Sequence, residues 1–305
     1  MNRLGRRRMS EKVGLVGYGI MGAAMAPKLI GKGYEVLVYD VSADAASRAR
    51  RDGCTVCETL IEVAQRARVV VISLPKPEHV TSVVREGNDC LLAGASEGSV
   101  FVDTSTVDPE TSRRNAEAGA AKGVGYLDSP VLGRPSACGN WTLPTGGEAK
   151  HIRIAEPVLE SFAAKIVHVG ASGQGNTLKL LNNLMFGTIN SITCEIFALG
   201  ERLGMEPKLL FDTISNSGAG TVSKLFQELG PKIVAQEFTP NFTIDNMHKD
   251  VGLGLKLAEQ CGMTLAIGNR VQEQNKLAQE AGLGREDTAA LVKIYQDAST
   301  RKGSA

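Results

Sequence analysis

Lys12-Val13-Gly14-Leu15-Val16-Gly17-Tyr18-Gly19-Ile20-Met21-Gly22 is the stretch on which the fold turns. Lys12 to Val16 is a short run rich in apolar residues, as a buried strand requires. Ala23, Met25, Ala26, Leu29 and Ile30 then recur at helical spacing until Gly31 and Gly33 stop the pattern. A second strand, Glu35 to Tyr39, ends on Asp40. This is G-x-G-x-x-G in the setting that gives it meaning: strand before, helix after, and an acid about twenty residues further on. Gly17 permits the tight turn, Gly19 lets the backbone approach a pyrophosphate, and Gly22 lets helix and strand pack closely. Ile20 and Met21 open the helix, whose unpaired N–H groups and dipole favour an anion. Asp40 suits the ribose hydroxyls of a dinucleotide and repels a 2′-phosphate, which favours NAD, with NADP possible. Arg48, Arg50 and Arg51 on the next helix read as solvated charges.

The alternation continues outward from this unit. Gly53 to Val56, Arg68 to Leu74, Ser99 to Asp103, Val124 to Leu127 and Ile166 to Val169 read as strands. Helices at Leu60 to Gln65, from Pro109 to Lys122, and at Glu148 to Ala164 separate them. Strands strung on intervening helices predict an α/β domain with a doubly wound, mostly parallel sheet. Ligands of such sheets gather at the carboxyl ends of the strands, so Leu74-Pro75 is expected to border the cofactor. His79 lies just beyond and reads as an exposed helix-start residue or a neighbour of the nicotinamide. Thr104-Ser105-Thr106, at another strand tip, offers hydroxyls to a nicotinamide ribose or a substrate, or else caps the following helix.

From Asn176 onward strand signals vanish. A helical pattern runs from Asn176 to about Leu203, roughly 40 Å long. Further helices read at Pro207 to Ile214, Val222 to Val234, Asn246 to Gln260, Ile267 to Gly282 and Asp287 to Ser299. The expected organisation is an NAD-binding Rossmann domain over residues 1–172 and an all-α substrate and oligomerisation domain over 173–305, joined by the long helix. On that helix Lys179 and Asn183 are four residues apart and share one face.

Composition bounds the function. The chain has 305 residues, 43% hydrophobic and 22% charged, with a net charge of +1. That balance carries no global bias toward nucleic acid or an anionic membrane. No apolar run approaches the roughly 20 residues that span a bilayer. The basic start reads as a tail around Arg6-Arg7-Arg8, and Met9 is a second candidate start. Six scattered cysteines in a chain of this size suggest free thiols and a cytoplasmic protein. Cys54 and Cys57 form a C-x-x-C without a second pair, so no metal or redox role is assigned to them.

Four motifs in order carry a family resemblance. They are G-L-V-G-Y-G-I-M-G at Gly14 to Gly22, D-S-P-V-x-G at Asp128 to Gly133, G-Q-G-N-T-L-K-L-L-N-N at Gly173 to Asn183, and N-M-H-K-D-V-G-L at Asn246 to Leu253. The chain resembles the β-hydroxyacid dehydrogenases, most nearly the 3-hydroxyisobutyrate dehydrogenases. The resemblance implies oxidation of a small β-hydroxy acid, or reduction of its semialdehyde, with a nicotinamide cofactor, in a homodimer or homotetramer. It implies that Lys179 is the catalytic lysine and general acid/base, and that Asn183 is a substrate ligand. It also implies that Leu74, Pro75 and Thr106 contact the cofactor, and that Lys249 closes over its nicotinamide end. A lysine so placed can take a proton from a hydroxyl as hydride leaves, and return it in reverse.

One departure matters. Where the family usually has V-S-G-G, this chain has Val131-Leu132-Gly133-Arg134. Leu132 cannot offer a hydroxyl to a substrate carboxylate, whereas Arg134 offers a planar fork suited to carboxylate, sulfonate or phosphate. The run Gly133 to Ala137 is similar to the anion-binding loop of the family's sulfolactaldehyde reductases. The substrate is therefore expected to be a small anion, the alternative to a β-hydroxy acid being another anionic aldehyde such as 3-sulfolactaldehyde, with Arg134 binding the anion. An imine reductase normally carries another residue at the lysine position, and the non-catalytic chromatin-associated members lack the lysine; Lys179 argues against both.

Overall fold

The computed structural model describes residues 11–218, 221 and 223–296. Arg6-Arg7-Arg8, Met9, Val222 and the end of the Asp287 to Ser299 helix lie outside them. The chain divides into two compact units, one ending at Lys179 and the other beginning at Leu180.

The first unit is an eight-stranded sheet with helices on both faces. In chain order it runs β1 (Lys12–Val16), α1 (Ile20–Gly31), β2 (Glu35–Tyr39), α2 (Ala43–Arg51), β3 (Thr55–Val56), α3 (Leu60–Arg66), β4 (Val69–Ile72), α4 (Pro77–Arg85), α5 (Leu91–Gly94), β5 (Val100–Asp103), α6 (Pro109–Ala120), β6 (Gly125–Asp128), β7 (Trp141–Gly146), α7 (Ala149–Leu159) and β8 (Ala163–Gly170). The strand order is β3-β2-β1-β4-β5-β6-β7-β8. Every pairing is parallel except β6 with β7. The central strands alternate sides. Val69, Val71, Val100 and Val102 pack with Met25, Leu29, Ala155 and Leu159 on one face. Val70, Ile72 and Phe101 pack with Leu60, Val63, Val80 and Leu91 on the other. Strands buried on both faces need this continuous apolar character.

Helix starts follow from local chemistry. Ser42, Thr59 and Asp108 each accept an N–H bond from the first turn of the helix they precede. Pro77 and Pro109 sit at first helical positions, where a missing N–H costs nothing. Two sequence expectations change. The helix read to Ala164 ends at Leu159, because the chain turns through Ser161-Phe162 into the longer β8. Cys54 and Cys57 flank a two-residue strand rather than lying on one, and both are buried, free thiols.

α8 (Gln174–Arg202) opens at the end of the first unit and runs on into the second. The second unit continues with α9 (Pro207–Ser215), α10 (Lys224–Ala235), α11 (Ile244–Gln260), α12 (Ala266–Glu280) and α13 (Val292–Gln296). Its core joins Phe197, Phe226, Leu229, Ile233 and Leu291, with a smaller cluster of Met247, Val251 and Val271. The last predicted helix starts as a 3-10 turn, Thr288–Leu291, before α13. Leu178, Leu181, Met185, Ile192 and Leu199 form an exposed apolar stripe at three-, four- and seven-residue intervals along α8. No helix among the described residues is long and apolar enough to cross a membrane.

Candidate active site

The glycine-rich loop has the geometry its sequence promised. Gly17 has φ +96°, and a Cβ there would lie 2.2 Å from the Ser73 carbonyl oxygen. A Cβ on Gly22 would lie 2.1 Å from the Gly17 carbonyl oxygen. A Cβ on Gly19 would meet nothing within 4 Å, so the space above this residue is open. Gly19 is the N-cap of α1 and provides no side-chain cap, and no acid occupies the first turn. The first N–H groups of α1, at Ile20 and Met21, are therefore left for an external anion.

Asp40, at the tip of β2, is braced by two backbone donors. Tyr18 N–H donates to Oδ2 at 2.6 Å and Ser42 N–H to Oδ1 at 2.8 Å. A carboxylate has about four lone-pair sites, so acceptor capacity remains for ribose hydroxyls. These features fit the adenosine and pyrophosphate parts of a nicotinamide dinucleotide. Tyr18, the variable residue of the motif, is buried, and its hydroxyl donates to Asp52 at 2.8 Å. Arg48 differs from its reading as a solvated charge: although exposed, it donates to the Tyr18 carbonyl at 3.2 Å.

The tips of β4 and β5 are laced together. Leu74 N–H donates to Ser105 Oγ at 2.9 Å, and Thr104 Oγ1 donates to the Ile72 carbonyl at 2.7 Å. Ser105 is buried, and its hydroxyl braces this rim. Pro75 and His79 are exposed, while Leu74 and Thr106 are half-buried. Beneath them lies buried Asp103, which accepts from Ser105 N–H at 2.9 Å and from the Tyr126 hydroxyl at 2.8 Å. Burial pushes its carboxyl up to about 6, against the opposing pull of the Ser105 and Tyr126 bonds.

A carboxyl raised in the folded state binds protons that the unfolded chain has lost. Its stabilising contribution is complete below the unfolded value of 3.8 and disappears as pH rises through about 6. Over that window Asp103 is expected to make unfolding easier by up to about 3 kcal/mol. Urea unfolding of the Asp103→Asn variant from pH 4 to 7 should show the shallower pH slope. Parallel curves for the two proteins would remove this assignment.

The start of α8 is seated on the tips of β5 and β6. Gly173 has φ +94°, and Gly175 comes so close that a Cβ would lie 2.2 Å from the Asp128 carbonyl oxygen. Buried Asp128 accepts from Gly173 N–H at 2.7 Å through Oδ1 and from Asn176 N–H at 2.9 Å through Oδ2. Burial still pushes its carboxyl up to about 6. Asn176 Oδ1 accepts from Val107 N–H at 3.1 Å, and its Nδ2 donates to Ser112 Oγ at 3.2 Å. The G-x-G-N part of the motif therefore anchors the helix to the strand tips. Lys179, three residues on, is half-buried. Leu180 is fully buried beside it, whereas Leu178 and Leu181 are exposed.

One turn beyond Lys179 is Asn183, 1% exposed, whose Nδ2 donates to Asp250 at 2.5 Å. Lys249, on α11, pairs with the same Asp250 at 2.8 Å. By their residue types alone Lys249 and Asp250 read as a routine surface pair, but Asp250 is buried, at 1% exposure.

The Gly133-Arg134 loop is held from below. Leu132 and Thr142 exchange backbone hydrogen bonds at 2.9 and 3.3 Å, so the segment folds back as a hairpin. Buried Trp141 donates through Nε1 to the Arg134 carbonyl at 2.7 Å. A Cβ on Gly133 would lie 2.3 Å from the Trp141 ring. Arg134 itself is half-buried.

Residues 12–170 match the family described as the NAD binding domain of 6-phosphogluconate dehydrogenase. Residues 173–295 match the family described as NAD-binding of NADP-dependent 3-hydroxyisobutyrate dehydrogenase. The 3-hydroxyisobutyrate dehydrogenase of Pseudomonas aeruginosa is 31% identical over 293 residues, covering 93% of this chain and 98% of that one. The 3-sulfolactaldehyde reductase of Escherichia coli is 30% identical, covering 92% and 94%. The crystal structure of 3-hydroxyisobutyrate dehydrogenase from Salmonella typhimurium matches with a TM-score of 0.86 at 25% identity, over 93% of this chain and 100% of that one. Two family models in tandem and relatives of this identity along nearly the whole length agree with the glycine loop and the seated lysine helix: the chain belongs to the β-hydroxyacid dehydrogenase family and carries its NAD(P)-binding domain.

Proposed function

We propose that this protein transfers a hydride between NAD and a small β-hydroxy acid, or the matching semialdehyde, with Lys179 as general acid/base. The observation that carries this reading is the seat of α8. Asp128 and Asn176 hold the helix start at the carboxyl ends of β5 and β6, where doubly wound sheets take their ligands. When bound, the nicotinamide supplies the hydride acceptor in one direction and the donor in the other. Gly17, Gly19, Ile20, Met21 and Gly22 receive the pyrophosphate, Asp40 the adenosine ribose, and Leu74, Pro75, Thr106 and Lys249 the remainder. In the oxidative direction Lys179 takes the substrate hydroxyl proton as its carbon is oxidised, and in reduction it returns that proton to the carbonyl oxygen. Asp40, braced for ribose hydroxyls and negatively charged, supports NAD over NADP.

Residues 173–305 form the substrate and oligomerisation part in this reading. The exposed apolar stripe of α8 supports a homo-oligomer, since patches of this kind mark association surfaces. The six cysteines, all free thiols, support a cytoplasmic setting.

A second reading, reduction of another anionic aldehyde such as 3-sulfolactaldehyde, is favoured by Arg134. The likeness to the Escherichia coli reductase supports it too. Short β-hydroxy acids and aldehydes bearing carboxylate, sulfonate or phosphate, assayed with NAD and NADP, separate the two. Arg134→Ala is expected to raise KM for anionic substrates by about 10- to 100-fold, the worth of a charge-assisted hydrogen bond. Uncharged aldehydes should be little affected. Equal effects on both classes would rule out Arg134 as the anion ligand.

A further inference from the structure

The amide of Asn183 is built into a chain of partners. Its Nδ2 donates to Asp250 Oδ2 at 2.5 Å, and its Oδ1 accepts from Asn182 Nδ2 at 3.1 Å. The other oxygen of Asp250 meets the Lys249 ammonium at 2.8 Å. Asp250 is 1% exposed, so its oxygens face these two neighbours and not water. An ionised carboxylate accepts hydrogen bonds and cannot donate them. Only one flip of the Asn183 amide therefore satisfies both sides, with Nδ2 toward Asp250 and Oδ1 toward Asn182. The second Nδ2–H is the donor this leaves for a substrate oxygen.

We propose that Asp250 is a positioning residue: it sets the amide orientation of Asn183 and holds the Lys249 ammonium, acting on substrate and cofactor through those two side chains. Removing its negative charge takes the carboxylate away from the half-buried Lys249 ammonium and lets the amide turn over. An unturned amide presents a donor to an anionic substrate, and a turned one presents an oxygen that repels it. This inference rests on the roles proposed above for Asn183 and Lys249.

Two variants test it. Asp250→Asn keeps the shape but can accept on one side only, so one neighbour faces a donor. The exchange Asn183→Asp with Asp250→Asn re-forms the bond between the two positions with its direction reversed and keeps acceptors for Asn182 and Lys249. The amide now at position 250 would donate to the carboxylate now at position 183 and still offer its oxygen to Lys249. Urea midpoints, NADH affinity by fluorescence titration, and KM and kcat for 3-hydroxyisobutyrate with NAD are then compared. Asp250→Asn is expected to lower the midpoint, weaken NADH binding by about 10-fold, and raise KM by about 10- to 100-fold, the scale of a misplaced ligand group. The exchange should restore the midpoint and the NADH affinity while KM stays high, because the donor at position 183 is gone. Recovery of KM together with the midpoint would reduce Asp250 to a structural residue and overturn the proposal. A wild-type KM and NADH affinity in Asp250→Asn, or an exchange that regains neither midpoint nor NADH binding, would overturn it as well. If the wild-type protein does not turn over 3-hydroxyisobutyrate, the substrate reading fails by itself, and the NADH titration alone decides for Asp250.

Discussion

Lys179→Ala is expected to lower kcat by about 100- to 10,000-fold, the usual contribution of a positioned acid/base group. NADH affinity should stay near that of the wild type, because the loop at Gly17 to Gly22 and Asp40 are untouched. The fold should also survive, since the side chain is half-buried at the surface of α8 and alanine is a good helix former. Lys179→Arg sharpens the test. Arginine keeps the positive charge but does not deprotonate in proteins, so it can complement an anion without serving as a base. Both variants should therefore be nearly inactive if the amine moves a proton. Arginine should retain most activity if the lysine only attracts the substrate. Turnover within a few-fold of wild type in the alanine variant would end the assignment.

The second large effect is expected from Gly175→Ala. The added methyl would lie 2.2 Å from the Asp128 carbonyl oxygen, 2.6 Å from that of Pro144, and 2.9 Å from Asp128 Oδ2. Two of these three atoms are backbone, so no flexible tip can swing aside. Overpacking of this kind costs about 1 to 3 kcal/mol or more, and we expect the upper end of that range. Part of the strain is relieved by lifting the helix start, which moves Lys179 and should cost about 100-fold in turnover. Gly19→Ala is the natural control, because its methyl meets nothing within 4 Å. It should leave the urea midpoint almost unchanged and weaken NADH binding instead. A Gly175→Ala protein as stable and active as wild type would show that the seat of α8 is not as tight as described.

Much of this was legible in the sequence because its determinants are local. Gly17, Gly19 and Gly22 fall at fixed spacing within one strand–turn–helix, and the apolar runs of β4 and β5 need no partner to be recognised as buried strands. The elements that escaped are short or set by distant contacts. α5 has only four residues, too few to show a period. β7 pairs antiparallel with β6, and parallel with β8, for reasons that lie in the Leu132–Thr142 hairpin rather than in the composition of the strand. The site shows the same division. Lys179 and Asn183 stand out by their spacing on one helix. Asp128 reaches its N–H donors across 45 and 48 residues, and Asp250 reaches Asn183 across 67, so nothing nearby in the chain announces either bond.

Trp141 gives the loop at residue 134 an unusual kind of independence. The peptide there hangs from a buried indole through its carbonyl oxygen, and the path is closed off by the contact of Gly133 with the same ring. The backbone at 134 is thus fixed through its own carbonyl, whatever its side chain does. The route of the chain past residue 134 is thereby set by the indole on β7 and by the neighbouring glycine, not by the identity of the side chain at 134.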